Sequence, residues 1–352
     1  MDNKRLYGLD ILRILSMVLI TAIHYLAYSG IRENPELIIP NELLLSFVSA
    51  LSVVAVNIFI LITGYFSCEK KLNIKRIITL WVSVIAASII LFVIFAIWQG
   101  GVNMVTVLKS FLPFSTMHYW FFTMYVVLML ISPFINILLN SLTEVQHKIA
   151  LILGFTVISV LFVSNPFINS SQYMADYRGI VWLVYLYTVG AYIRKYGWKI
   201  SRAVTLVLIV MVFIPIFVLK LLRVENVGNC ELLNSSGVLP FVFSVLIFCL
   251  FLGVEVKRKA FVKITTILSE ASFFVYIIQE HEMVRVWYWS VFNINAYANS
   301  AWLVLDLIIS ILALWPVAIA LSKLLSLMYG PVCRCYDMLK GKIQNKGQEL
   351  KK

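Results

Sequence analysis

Residues 9–28 read LDILRILSMVLITAIHYLAY. A run of about 20 mostly apolar residues, rising 1.5 Å per residue as a helix, is long enough to cross the ~30 Å hydrocarbon core of a bilayer. Within it lie Asp10, Arg13 and His24, groups that are costly in lipid and therefore point to a role. Nine further apolar windows follow at 43–66, 77–98, 119–139, 149–168, 179–192, 203–221, 237–254, 264–282 and 301–321. The window at 179–192 is short. The stretch 105–117 is apolar but interrupted by Lys109 and Pro113, and reads as a re-entrant or interfacial piece. Only helices and closed barrels satisfy their own backbone groups in lipid, and continuous runs of this length are helical. The expected fold is an all-α integral membrane protein with about ten transmembrane helices.

Composition agrees. Of 352 residues, 61% are hydrophobic and only 13% charged, against about 25% charged in soluble domains. The mean hydropathy is +0.93. A cytosolic enzyme, a disulfide-stapled secreted domain and a disordered scaffold are excluded. The formal net charge of +12 could suggest nucleic acid until the basic residues are placed along the chain. With the N-terminus inside, 22 Lys and Arg fall on cytoplasmic segments, among them Lys4, Arg5, Lys70, Lys71, Lys75 and Arg76. Six fall on the opposite side: Arg32, Lys109, Arg178, Lys220, Arg223 and Arg285. This asymmetry sets orientation, puts both termini in the cytoplasm and leaves no nucleic-acid partner to expect. Residues 1–322 form a transmembrane domain and 323–352 a basic cytoplasmic tail. Asp10 and Arg13 interrupt the apolar stretch too early for a cleaved signal peptide. Of Cys68, Cys230, Cys249, Cys333 and Cys335, only Cys230 faces outward, so no structural disulfide is expected. No Walker loop, dinucleotide fingerprint, nucleophile elbow or zinc-protease motif is present, so any chemistry lies within the bundle.

Arg13 and His24 are eleven residues apart, within about 20° of three full helical turns, so they share a face about 16 Å apart along the axis. One reading is structural: Arg13 reaches the inner headgroups with Asp10 as its partner, and His24 packs. The other is a site for a long, thin substrate with phosphate at Arg13 and a reactive group at His24, both on one internal passage. Acyl-coenzyme A has that shape. Neutral imidazole, with an ordinary pKa near ~6.5, suits a general base that takes a proton from a hydroxyl attacking a thioester. Lys75 and Arg76, at the start of the window 77–98, serve either as an inward anchor or as a grip on coenzyme A phosphates.

These residues resemble a known family. Arg5, then Leu9-Asp10-Ile11-Leu12-Arg13, an apolar stretch and His24, is similar to the opening helix of the bacterial membrane acyltransferases of family 3. The resemblance continues in Ile58 to Phe66, in Tyr119-Trp120-Phe121-Phe122 through Ser132-Pro133, and in Ser272-Phe273-Phe274-Val275-Tyr276-Ile277-Ile278. It implies a stand-alone, ten-helix enzyme of the cell (plasma) membrane with no permanently bound cofactor. Such an enzyme moves an acyl group, usually acetyl, from cytosolic acetyl-coenzyme A to a hydroxyl of a cell-surface polysaccharide or lipid-linked sugar. It carries the catalytic role onto His24 and donor binding onto Arg13. The family often has Arg-x-x-Arg on the third helix, where this chain has Arg76-Ile77-Ile78-Thr79; Lys75 would supply the second cation. Where many members end the Ser-Phe-x-x-Tyr motif with histidine, this chain has Gln279.

The outer end of the window 264–282 carries Gln279, Glu280, His281 and Glu282, then Arg285 and Trp287-Tyr288-Trp289. Carboxylates, an arginine and aromatic rings suit a carbohydrate surface, and an interfacial aromatic belt accounts for the same tryptophans. Trp120, Tyr276, Gln279, Glu280, Arg285 and Asp306 are therefore candidate acceptor-binding residues. Asp306 either orients an acceptor or pairs with Arg285 or Arg178. Glu280, His281 and Glu282 diverge on a helix, so no metal site is expected. The rival function is a transporter or flippase of a carbohydrate or lipid-linked intermediate, although no internal repeat supports it.

Overall fold

The computed structural model describes residues 5–29, 37–167, 176–224, 226–227, 229–292, 294–328, 330–334 and 336–338. Lys4, Arg32, Cys335 and the tail beyond 338 lie outside the described residues. The chain is a bundle of helices: α1 (Tyr7–Ser29), α2 (Ile39–Ser52), α3 (Ala55–Ser67), α4 (Ile74–Gln99), α5 (Met104–Phe111), α6 (Trp120–Ser141), α7 (Glu144–Phe155), α8 (Ile180–Tyr196), α9 (Arg202–Leu221), α10 (Val238–Leu252), α11 (Lys259–Glu280), α12 (Glu282–Val291), α13 (Trp302–Leu312) and α14 (Leu314–Ser326). A π-helical stretch, Thr156–Val163, extends α7, and a two-residue antiparallel ladder joins Asn226–Val227 to Cys230–Glu231.

Among the described residues, eight helical runs are long and apolar enough to cross a membrane, which makes this an all-α, multi-pass membrane protein. Two of the ten expected spans are shorter. Helix α10 has 15 residues, roughly 22 Å of helix, and α8 has 17, in keeping with the short window read there. Two spans read as continuous are each built from two helices. The window 43–66 bends at Val53 and Val54 between α2 and α3, and 301–321 bends at Ala313 between α13 and α14. The window 264–282 ends at Glu280, because His281 takes an extended backbone conformation and turns the chain into α12. The stretch read as re-entrant holds the short helix α5, which starts on an Asn103 cap.

The run α2–α3 is the most enclosed, with 72% of its apolar window buried, whereas α7 and α9 bury only 17% and form the periphery. Asn57 knots the interior. Its side chain donates to Ser235 O at 2.7 Å and Ser244 Oγ at 3.0 Å, and accepts from Trp182 Nε1 at 3.0 Å. A buried amide in an apolar bundle survives only when its valences are filled in this way. Helices α3 and α8 approach closely because Gly64 and Gly190 lie at their crossing. A Cβ on Gly64 would lie 2.2 Å from Tyr187 O, and one on Gly190 would lie 2.4 Å from Leu61 O. Small residues permit this kind of backbone approach between membrane helices.

Gly64→Val and Gly190→Val should therefore each force the two backbones apart and cost about 3 kcal/mol or more. Gly154→Ala meets only the Tyr185 ring, a side chain that can turn away, and should cost far less. Thermal unfolding of detergent-purified variants checks the order.

Candidate active site

Helices α1 and α11 start on the same side of the bundle and pack together, which brings the charged residues of α1 against polar residues of α11. At the N-terminal end, Asp10 is nearly buried. Its Oδ2 accepts from Arg5 Nε at 2.6 Å, and its Oδ1 accepts from Arg13 Nη1 at 3.1 Å and Ser269 Oγ at 2.9 Å. Arg13 Nη1 also donates to Ser269 Oγ at 2.9 Å. Outside the membrane segments, hydrogen bonding to Asp10 holds the Arg5 guanidinium firmly protonated.

Arg13 opens into a cavity of ≈ 600 Å³, together with Arg5, Lys75, Arg76 and a single carboxylate, Glu270. The first turn of α4 forms one wall. Asn73 caps that helix by accepting from Arg76 N at 3.0 Å, so the positive end of the helix dipole adds to the four cations. Lys75 Nζ lies 2.8 Å from Asp337, at the exposed edge.

His24 opens into a second cavity, of ≈ 700 Å³, whose walls include Tyr28, His118, Trp120, Arg178, Tyr276, Glu280 and Arg285. The backbone bend between α2 and α3 also lines it, through Ser52, Val53 and Ala55. Irregular backbone at membrane depth is tolerated where it borders a cavity. His24 Nδ1 lies 3.3 Å from Glu280 Oε1, angled away from an ideal hydrogen bond, and Tyr28 OH donates to the same oxygen at 3.2 Å. Arg285 Nη1 stands 3.9 Å from Glu280 Oε2, so the Glu280 carboxylate lies between the His24 ring and the Arg285 guanidinium. Arg178 lies over the Trp120 and Tyr177 rings at 5.9 and 5.2 Å. His118, in the connection before α6, is pushed down to about 4 by burial, so it is neutral near pH 7.

The candidate residues thus separate into groups. Arg13, Lys75 and Arg76 share one cavity, with Asp10 bracing Arg13. His24, Trp120, Tyr276, Glu280 and Arg285 share the other. Two candidates line neither cavity. Gln279 is fully buried beside the His24 ring, with Nε2 3.8 Å from Met17 Sδ. Asp306 accepts from Tyr25 OH at 2.9 Å and lines neither cavity; it pairs with neither Arg285 nor Arg178. Glu282, next to Glu280 and His281 in sequence, turns away to pair with Lys109 at 2.9 Å.

Arg13 and His24 open into two cavities whose linings share Phe59, Phe121 and Phe273. Ser269 and Tyr28 were missed in the sequence, and Arg178 entered only as an outer-face cation and a candidate partner of Asp306. Tyr28 had a usable signal, one turn beyond His24 on the same face.

This arrangement can be set beside known proteins. A family model described as an acyltransferase domain matches residues 6–325, from just before α1 to the end of α14. The chain belongs to this acyltransferase family. No curated protein and no solved structure matches it. Membership makes the chain a membrane acyltransferase, and the transporter alternative loses its footing. The match includes every candidate residue named above, and of the residues that line the two cavities only Arg5 and Cys333 fall outside it.

Removing one member of a buried ionic cluster leaves the others uncompensated. In this acyltransferase, Asp10→Ala should cost about 2–3 kcal/mol, because Arg5, Arg13 and Ser269 all donate to its carboxylate. Ser269→Ala, which leaves the Asp10–Arg13 pair intact, should cost about 1 kcal/mol. Denaturation midpoints of the two variants test this.

Proposed function

We propose that the enzyme transfers a short acyl group, acetyl by the family pattern, from acyl-coenzyme A to a hydroxyl of a cell-surface polysaccharide or lipid-linked sugar. In this reading the protein sits in the cell membrane with both termini in the cytoplasm. The observation that carries the reading is the division of labour along α1: a cationic cavity at Arg13, an imidazole cavity at His24, and about 16 Å of helix between them. Four cations around the start of α4 suit the phosphates of coenzyme A, which Arg13 and Arg76 can grip as forks and Lys75 as a point charge. Asp337 would give up Lys75 to the phosphate. The pantetheine arm then runs along α1 and carries the thioester to His24.

At His24, Glu280 favours the tautomer with the proton on Nδ1, which leaves Nε2 as the base. The acceptor hydroxyl gives its proton to Nε2 as its oxygen attacks the thioester carbonyl. The C–S bond breaks when the tetrahedral oxyanion collapses. Coenzyme A leaves as a thiolate and recovers the proton from the imidazolium, which Glu280 stabilises in the interval. The products are an O-acyl sugar and free coenzyme A. Positioned base catalysis of this kind supplies roughly 10²–10⁴ in rate. Trp120, Tyr177 and Tyr28 supply aromatic rings for a sugar, with Arg178 over the first two and Arg285 over the third, where their guanidinium groups can meet its hydroxyls. No metal ion takes part in this scheme.

The test is radiolabelled acetyl transfer from acetyl-coenzyme A to isolated surface glycan by protein in nanodiscs. His24→Ala should lower kcat by at least about 10²-fold and leave the donor Kd unchanged. Arg13→Gln should do the reverse, raising the donor KM about tenfold or more with a smaller effect on kcat. Glu280→Gln should lower kcat with little change in KM. Full transfer by His24→Ala would remove the mechanism.

A further inference from the structure

The two chambers stand back to back. Among the described residues only Phe59, Phe121 and Phe273 line both of them. These come from α3, α6 and α11, three helices remote in sequence. Phe59 and Phe121 meet edge to face with ring centroids 5.9 Å apart. Phe121 and Phe273 each pack on Tyr276, at 5.9 and 6.2 Å. The Tyr276 hydroxyl accepts a hydrogen bond from Phe121 N at 3.2 Å, which fixes the start of α6 to α11. The frame around the rings is therefore pinned, while the rings themselves present no polar atom to either chamber.

We propose that Phe59, Phe121 and Phe273 form a donor port: a dry septum that parts only around the pantetheine arm and whose width restricts the transferred acyl group to narrow, unbranched ones. This rests on the donor reading above. Arg13 and His24 occupy opposite sides of the septum, so a donor held by phosphate at the first can reach the second only between these rings. The leading part of the arm, acetyl on cysteamine and β-alanine, is an unbranched chain, whereas isobutyryl and benzoyl groups are broader than the thread that follows them. The geminal dimethyl carbon of the pantoyl unit lies toward the phosphates and stays on the Arg13 side. Rotation of ring side chains opens such a slot without moving the helices, and it closes again on an apolar contact. An empty apolar constriction also excludes water and ions by dewetting. That protects the thioester from hydrolysis, in which water adds at the carbonyl to give acetate, free coenzyme A and a proton.

The port has a readout that simple loss of packing would not produce. Phe121→Ala and Phe273→Ala should raise the ratio of benzoyl to acetyl transfer, and of isobutyryl to acetyl transfer, on the order of tenfold or more, the scale on which pocket size discriminates groups. Both variants should also hydrolyse acetyl-coenzyme A faster than wild type when no acceptor is present, with the coenzyme A Kd unchanged. Phe273→Trp should act in the opposite sense, reducing transfer of every donor and the broad ones most. Phe121→Leu keeps apolar bulk without a ring and serves if the alanine variant does not fold. Variants that bind coenzyme A like wild type and keep its acyl selectivity and its hydrolysis rate overturn the port alone. Wild-type protein that transfers nothing from acetyl-coenzyme A overturns the donor reading and the port with it.

Discussion

A guanidinium two turns into an apolar helix must find its partners within the bundle, and the meeting of Arg13 with Asp10 and Ser269 is the constraint on which the rest depends. Asp10 alone could neutralise Arg13 from the same helix. Ser269 adds a contact across to α11 and so fixes how α1 is rotated against its neighbour. With that rotation set, three turns of helix carry His24 around to the same side, where Glu280 of α11 meets it. The interface is ionic at both ends and apolar between. Ionic contacts in lipid are directional and costly to break, so they specify one register where apolar packing alone would allow several.

The chambers are built from departures from regular helix. The bend at Val53–Val54 opens the wall beside His24, and the break at His281 lets Glu280 face His24 while Glu282 turns to Lys109. Backbone groups freed by such breaks need partners. Ser235 Oγ donates to Val53 O at 2.9 Å, and Asn57 holds the segment carrying Ser235 in place. Polar side chains beneath the irregular segments thus permit a cavity inside a membrane protein without unpaired backbone facing lipid.

Much of this was legible in the amino-acid order. Apolar runs of membrane length gave the class and most helix positions. The 3.6-residue period put Arg13 and His24 on one face. The stretches around Arg13–His24 and Ser272–Ile278 pointed to the family that residues 6–325 match. The bend at Ala313 did have a sign: Pro316 lacks the N–H that would bond Leu312 O and disfavours a straight helix there. The bend at Val53–Val54 was not legible, because it lies in an apolar run with no proline or glycine beside it. Nor was the partner of Asp306. Tyr25 is 281 residues away, next to His24 on α1, and only tertiary packing decides that Asp306 faces it rather than an arginine. The septum escaped for the same reason. Phe59, Phe121 and Phe273 are ordinary aromatics in three separate spans, and their convergence belongs to the packing of α3, α6 and α11.

The most direct test of the account is an electron cryo-microscopy structure in nanodiscs with a non-hydrolysable acetyl-coenzyme A analogue, in which a methylene replaces the thioester sulfur. The account predicts phosphate density against Arg13, Lys75 and Arg76, the arm between the three phenylalanine rings, and the acyl carbonyl carbon facing the His24 ring with room for one hydroxyl between them. An analogue bound wholly on one side of the septum, or with its phosphates away from Arg13, would contradict it.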